Sequence, residues 1–385
     1  MKFIYKIYQY LAFLFNSKKI WKYPTKSNIL IYGDPPNNKL FKLLKNHTYE
    51  VLYLRGEKIN LKLLLFSLIY FKNFQYNYKK KYIEYVDPKV IITFLDNDLF
   101  VYNIKQIFNN RKIIVIQNGW RAYFGDLFES LENNKNKFSK NLTADYLFTF
   151  GECVGNYYDQ YIKSKNFYIG SFLSNSLDFK DEIKKNYLTY ISQWQKEGLI
   201  FNNLYYSSND VFKNVDIKIL NSLNLFCKKK SLELCILLRS RSNSLIDEEK
   251  NYYRSIIDSK INFLVPNSKN SAYNIVDYSK IIVGVDSTLA YESLSRGNKT
   301  AFFSIRGTLL KLKGLDFAWP CKVNKSGSFW TNTVSDDKFI KILNFLFNID
   351  QNNWLLLLRK LKIEKIISND PNNHLVKKII NKCIE

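Results

Sequence analysis

Histidine is nearly absent, with two residues, His47 and His374, in a chain of 385. Imidazole-based metal sites and Ser-His-Asp or Cys-His catalysis therefore have almost nothing to draw on. The five cysteines, Cys153, Cys227, Cys235, Cys321 and Cys383, are odd in number, widely spaced and without a C-x-x-C pair. Neither a disulfide framework nor a zinc site follows from them, and no metal ligands are expected. Glycine (13) and proline (7) are scarce, and no Gly-x-Gly-x-x-Gly fingerprint or Walker loop occurs, which weakens a dehydrogenase or kinase reading. Long apolar runs are lacking too. Leu61 to Phe71 falls short of the roughly 20 residues of a spanning helix. Met1 to Phe15 is broken by Lys6 and Gln9 and is followed by no small-residue cleavage site. The expectation is a cytoplasmic protein in which either stretch packs as a core helix or lies flat in a membrane interface.

What the chain has is apolar surface and positive charge. Hydrophobic residues make up 46% and aromatics 16%, enough for a chain folded throughout, and the length suits two domains of roughly 150–200 residues. The formal charge is +24, carried by forty-nine lysines and only nine arginines. Diffuse, arginine-poor charge does not make a nucleic-acid stripe. It suits peripheral association with an anionic leaflet at the inner face of the membrane and attraction of phosphorylated substrates. The same lysine-rich, alanine-poor composition is what an AT-rich genome encodes, and both explanations stand at this stage.

Short β-branched and aromatic runs alternate with helix-length amphipathic stretches: 28–32, 50–54, 90–95, 112–117, 146–150 and 167–169, then, after a polar linker at 174–185, 187–192, 232–238, 261–264, 281–285 and 300–304. Alternation of this kind predicts parallel βαβ units. Two series predict an α/β protein with two Rossmann-like doubly wound domains facing a cleft, the first over 1–175 and the second over 186–333. Helices over 334–385 are expected to pack across both. Ligands of such sheets sit beyond the carboxyl ends of the strands.

Candidate chemistry is sought there. The run 281–285 enters a helix through Asp286, Ser287 and Thr288, where free N–H groups and the helix dipole favour a phosphate. Glu292, one turn on, is placed to accept hydrogen bonds from ribose hydroxyls. Arg239 and Arg241 end another strand of the same domain and can clamp departing negative charge. Gln117, Asn118, Gly119, Trp120 and Arg121 combine amides, an indole and a guanidinium, the mixture used to hold an acceptor sugar. Asp96, Asp34 and Asp98 follow first-domain strands and are the candidates for a base that deprotonates the acceptor, Asp96 first. A turn-forming role suits the same aspartates.

With Asp286-Ser287-Thr288, Glu292 and Arg296-Gly297, the chain resembles the donor-binding element of glycosyltransferases of the GT-B fold and, by its aspartate-to-glutamate spacing, related UDP-sugar epimerases. Thr93-Phe-Leu-Asp-Asn97, Ile116-Gln-Asn-Gly-Trp-Arg121, Phe148-Thr-Phe-Gly151, Gly170-Ser-Phe-Leu-Ser-Asn175 and Gly327-Ser-Phe-Trp-Thr-Asn332 occur in the order seen in a family of bacterial surface carbohydrate biosynthesis proteins of the O-antigen type. The resemblance implies transfer of a sugar from a nucleotide-activated donor, held by the domain over 186–333, to a glycan or lipid-linked glycan acceptor, held by the domain over 1–175, with no resident cofactor. A nucleotide-sugar epimerase or hydrolase, or a non-catalytic glycan-binding protein, are the alternatives that it leaves open.

Overall fold

The computed structural model describes residues 17–36, 38–55, 57–68, 74–133, 142–178, 186–201, 204–257, 261–266 and 269–385. The apolar segment Met1 to Phe15, the end of the apolar run at 69–71, the polar cluster at 134–140 and most of the linker, 179–185, lie outside the described residues.

Six parallel strands form the first sheet: β1 (Ile29–Tyr32), β2 (Tyr49–Leu52), β3 (Val90–Thr93), β4 (Lys112–Ile116), β5 (Thr143–Thr149) and β6 (Lys163–Tyr168), in the order β2-β1-β3-β4-β5-β6. Six more form the second: β7 (Tyr187–Ile191), β8 (Glu233–Leu237), β9 (Asn262–Leu264), β10 (Ile281–Gly284), β11 (Thr300–Phe303) and β12 (Trp330–Thr331), in the order β9-β8-β7-β10-β11-β12. The central strands β1, β3, β7, β10 and β11 are buried along their whole length, as expected of parallel strands covered by helices on both faces. Chain direction across each sheet reverses between β1 and β3 and between β7 and β10, and crevices open at those switch points.

Sequence alternation locates eleven of these strands. It misses β12, which is two residues long, and two small sheets, Lys18–Ile20 with Lys58–Asn60 and Leu199–Phe201 with Leu204–Tyr206. Segments this short carry no measurable period and are found only where an apolar run marks them, as at β9.

The residues after 334 divide their packing. Helix Asp336–Asn348 lies on the second sheet, with Phe339 stacked on Phe303 at 4.3 Å. Helix Gln351–Lys360 buries Trp354, whose indole N–H donates to the Gly297 carbonyl at 3.0 Å. Helix His374–Ile384 crosses to the first sheet and buries Val376, Ile379 and Ile380 in a cluster with Ile29, Ile31 and Ile92.

One expectation is corrected. Cys153 and Cys321 are joined as a disulfide, 168 residues apart in sequence with Cα atoms 5.2 Å apart. Cys153 sits in helix Glu152–Tyr158 after β5, and Cys321 in the irregular segment between β11 and β12. Only the docking of the domains brings them together, so spacing along the chain could not reveal the pair.

Candidate functional site

A cavity of about 530 Å³ opens at the switch point of the second sheet. Its floor comes from the segments that follow β7, β8 and β10, and its roof from Pro36, Asn118 and Leu173 of the first domain. Arg239, Arg241, Asp286, Ser287, Thr288 and Glu292 all line it. Residues spread over fifty positions are thus gathered where βαβ topology places strand ends.

The helix Thr288–Ser295 begins at Ser287, which has extended backbone (φ −68°, ψ 134°) and makes no side-chain cap bond. Its hydroxyl is therefore not spent as an ordinary N-cap. The hydroxyl of Thr288 accepts the backbone N–H of Trp120 at 2.9 Å, so this side chain ties the domains together as well as lining the cavity. Arg239 and Arg241 form no ion pair among the described residues; their guanidinium groups donate only to the carbonyls of Gln193 (3.4 Å) and Pro266 (2.7 Å). Burial lowers the proton affinity of both. Two cations with no carboxylate in salt-bridge contact among the described residues, on which buried Glu249 acts only through space, stand beside a helix N-terminus, an arrangement that suits an anion.

Asp286 would oppose an anion, but Arg306 Nη1 lies 2.5 Å from its carboxylate. Arg306 is buried, donates also to the carbonyl of Val211 and the side chain of Gln193, both at 3.2 Å, and lies over the Phe212 ring. Sequence reasoning stops at Ser304 and misses it. The signal was a lone arginine three residues past the end of β11, on the sheet edge that already carried Asp286. A second layer stands behind the cavity. Buried Glu249 accepts the Ser192 hydroxyl and the backbone N–H groups of Arg239 (3.1 Å) and Ser240 (2.9 Å), which fixes the loop that carries the arginines.

Glu292 is 5% exposed and accepts the hydroxyl of Ser171, from the first domain, and that of Tyr273. Burial raises its pKa to about 7 against the effect of those two hydrogen bonds and of Arg296. Glu292 thus lines the cavity while its carboxylate holds one hydroxyl from each domain. Tyr273 and Asp277, both on helix Lys269–Tyr278, divide. Tyr273 lines the cavity, whereas Asp277 pairs with Arg296 at 2.5 Å.

The first-domain candidates are placed differently from expectation. Asp96 is fully buried: Arg121 holds both its oxygens (2.6 and 2.7 Å), Tyr158 donates to it at 2.6 Å and the Asn118 N–H at 3.2 Å. Protein donors take up both oxygens of Asp96, which does not line the cavity and instead braces the loop 117–121. Asp98 caps helix Leu99–Ile107 through the Phe100 N–H (3.0 Å) and accepts Tyr32 (2.7 Å) and Lys79 (3.1 Å). The two aspartates have Asp-x-Asp spacing yet serve separate partners. Asp34 is exposed on the segment that leads to Pro36. In the loop itself, Gln117 bonds Gly119 and Phe150 backbone groups, Arg121 is committed to Asp96 and Asp126, and Trp120 stacks on Tyr291 with centroids 3.5 Å apart. Gly119 packs against the Thr288 hydroxyl. Of the five, only Asn118 lines the cavity.

Among the described residues no group of three His, Cys, Asp or Glu stands together as a metal site, and no helix is long and apolar enough to cross a membrane.

Residues 114–384 match the family described as "putative O-antigen biosynthesis protein". The chain belongs to that family. No curated protein matches it. Among solved structures, the wall teichoic acid polymerase TagF with CDPG is similar at 11% identity over 94% of this chain and 89% of that one, with a TM-score of 0.51. The UDP-GlcNAc 2-epimerase of Methanocaldococcus jannaschii, in complex with UDP-GlcNAc and UDP, is similar at 12% identity over 87% and 99%, with a TM-score of 0.50. At such identities the likeness establishes the fold, the two facing Rossmann-like domains of GT-B proteins. Transferases and epimerases share it, and fold alone does not choose between them.

Proposed function

We propose that this O-antigen family member is a glycosyltransferase that moves a sugar from a nucleotide-activated donor to a surface glycan or a lipid-linked glycan, without a metal ion. The observation that supports the reading is the pair Arg239 and Arg241, in salt-bridge contact with no carboxylate among the described residues, lining one cavity together with the N-terminus of helix Thr288–Ser295. In glycosyl transfer the departing nucleotide gains negative charge as the bond to the anomeric carbon breaks. Cations and N–H dipoles already in place stabilise that charge without reorganisation. The similar TagF and epimerase structures, which hold CDPG and UDP-GlcNAc with UDP, support a nucleotide-diphosphate occupant. Such donors place the work in the cytoplasm, and the +24 charge would hold the protein against the anionic inner leaflet.

The test is a thermal-shift screen with CMP, UDP, GDP and dTDP on the wild type, on Ser287→Ala and on Arg239→Ala/Arg241→Ala. Saturation at about 100 times the dissociation constant should add roughly 2.7 kcal/mol. One nucleotide should raise Tm in the wild type and lose most of its effect in both variants. A cooperative melt that no nucleotide shifts would leave a glycan-binding protein without a donor. Turnover of the matching nucleotide sugar with no acceptor present would instead favour an epimerase or hydrolase.

A further inference from the structure

A second cavity, about 210 Å³, lies between the first-domain loop 120–126 and the segment 310–316 that follows β11. Asp286 and Arg306 line both cavities, so the two spaces meet at that ion pair. The volume is about seven times the ~30 Å³ share of a liquid water, room for one sugar ring. Trp120, Phe124 and Leu315 give the second cavity apolar walls, and Asp126 and Asp316 give it carboxylates. Apolar and aromatic walls with a few convergent polar groups are what a sugar ring requires.

The two carboxylates are not equivalent. Asp126 is held by Arg121 at 3.2 Å and accepts the Leu127 N–H at 2.8 Å. The Asp316 residue is exposed; its carboxylate accepts no hydrogen bond and joins no ion pair among the described residues, while its backbone carbonyl accepts the Trp319 N–H at 3.2 Å; partial desolvation raises its pKa against the through-space charge of Lys325. Asp286 and Asp316 both act on the hydroxyl of buried Tyr291, raising its pKa, which places them within Coulombic reach of one atom. An uncommitted carboxylate with raised proton affinity, in a space that adjoins the anion site, is suited to receive a proton.

We propose that the second cavity is the acceptor-sugar subsite and that Asp316 is the base for the attacking hydroxyl, an assignment that rests on the nucleotide-sugar reading of the first cavity. As the acceptor oxygen bonds to the anomeric carbon, the bond from that carbon to the donor phosphate oxygen breaks and its electron pair leaves on the phosphate. The hydroxyl proton passes to the Asp316 carboxylate, and Arg239 and Arg241 hold the released charge. Asp316 lies in the irregular segment between β11 and β12, in the second domain rather than the first, where a base was expected.

The test uses saturation-transfer NMR of the full chain, saturated with the nucleotide found by thermal shift, against octyl glycosides of glucose, galactose, mannose and N-acetylglucosamine. At least one should bind the wild type and be lost in Ala122→Trp, which fills the cavity, while the nucleotide shift persists. Leu315→Phe repeats the test from the opposite wall if Ala122→Trp does not melt cooperatively. Asp316→Asn should keep glycoside binding but lose acceptor-dependent nucleotide release by at least about 100-fold. Absence of glycoside binding, or binding indifferent to both filling variants, overturns the subsite. Release unchanged in Asp316→Asn, or no release with a glycoside that binds in the cavity, overturns the base. The nucleotide shift, read in every variant, separates these failures from failure of the nucleotide reading itself.

Discussion

At the scale of single residues, what the sequence shows and what it hides follow from the range of each interaction. Ser287, Arg239 and Arg241 were legible because a polar residue just past a buried parallel strand has few places to go except the cleft. Asp96 was misjudged because its partners Arg121 and Tyr158 are 25 and 62 positions away, and nothing local marks a buried ion pair. If Asp96 organises the loop, Asp96→Asn should leave the Arg121 charge buried with half its pairing, at a cost of about 3–5 kcal/mol. Chemical denaturation would record that loss, and a variant with full stability but no turnover would restore Asp96 as a base. Glu292 gives a pH signature. Its ordinary pKa of 4.5 is carried to about 7 by burial. Between those values the folded chain keeps a proton that the unfolded chain has released, so stability falls as pH rises through the window. Asp216, buried and raised from 3.8 to about 6, adds a loss of the same sign at lower pH. Glu292→Gln should therefore flatten the Tm profile between pH 5 and 7.5 and melt above the wild type at pH 8, by an amount on the order of 3 kcal/mol. Parallel profiles for the two proteins would show that Glu292 is not the buried titrating group.

Among elements, the helix Thr288–Ser295 and the loop 117–121 form one device. The helix offers Thr288 and Tyr291 on the side that faces the first domain; the loop answers with the Trp120 N–H and indole. Sequence reasoning singled out both pieces but assigned the loop to a sugar, because an indole after an Asn-Gly turn looks the same whether it stacks on a pyranose or on a tyrosine. The tertiary contact decides. Strand prediction worked for the opposite reason, since a fully buried parallel strand is written locally as four or five consecutive apolar residues. Trp120→Ala removes a stacked aromatic pair worth about 0.5–1.5 kcal/mol beyond its buried area. It should lower Tm and also raise the concentration of nucleotide needed for a half-maximal thermal shift, because the roof of the cavity hangs from that loop. A lower Tm with unchanged nucleotide affinity would mean that the stack holds the domains together without shaping the cavity.

For the whole molecule, domain closure is held by contacts that sequence separates most widely: the Cys153–Cys321 bond, the Ser171 hydroxyl on Glu292, Arg296 on the carbonyls of Ser174 and Leu177, and the final helix returning to the first sheet. The disulfide spans 168 residues, and closing a loop of that size in the unfolded chain is worth about 5 kcal/mol in the chain-entropy model, with about 2–4 the usual measured range. Cys153 and Cys321 are only partly buried, so a small reductant can reach them, whereas Cys227 and Cys235 lie in the core. Reduction, or Cys321→Ser, should lower Tm by several degrees yet leave the nucleotide-dependent increment in place, because the arginines and the helix tip belong to the second domain alone. Asn118 and Pro36, which reach the cavity from the other domain, would then engage less often, so any acceptor-dependent turnover should fall further than nucleotide affinity does. Melting curves with and without dithiothreitol, each at zero and saturating nucleotide, separate the two effects. Equal loss of the nucleotide increment and of stability would mean that the anion site itself depends on the closed arrangement of the two domains.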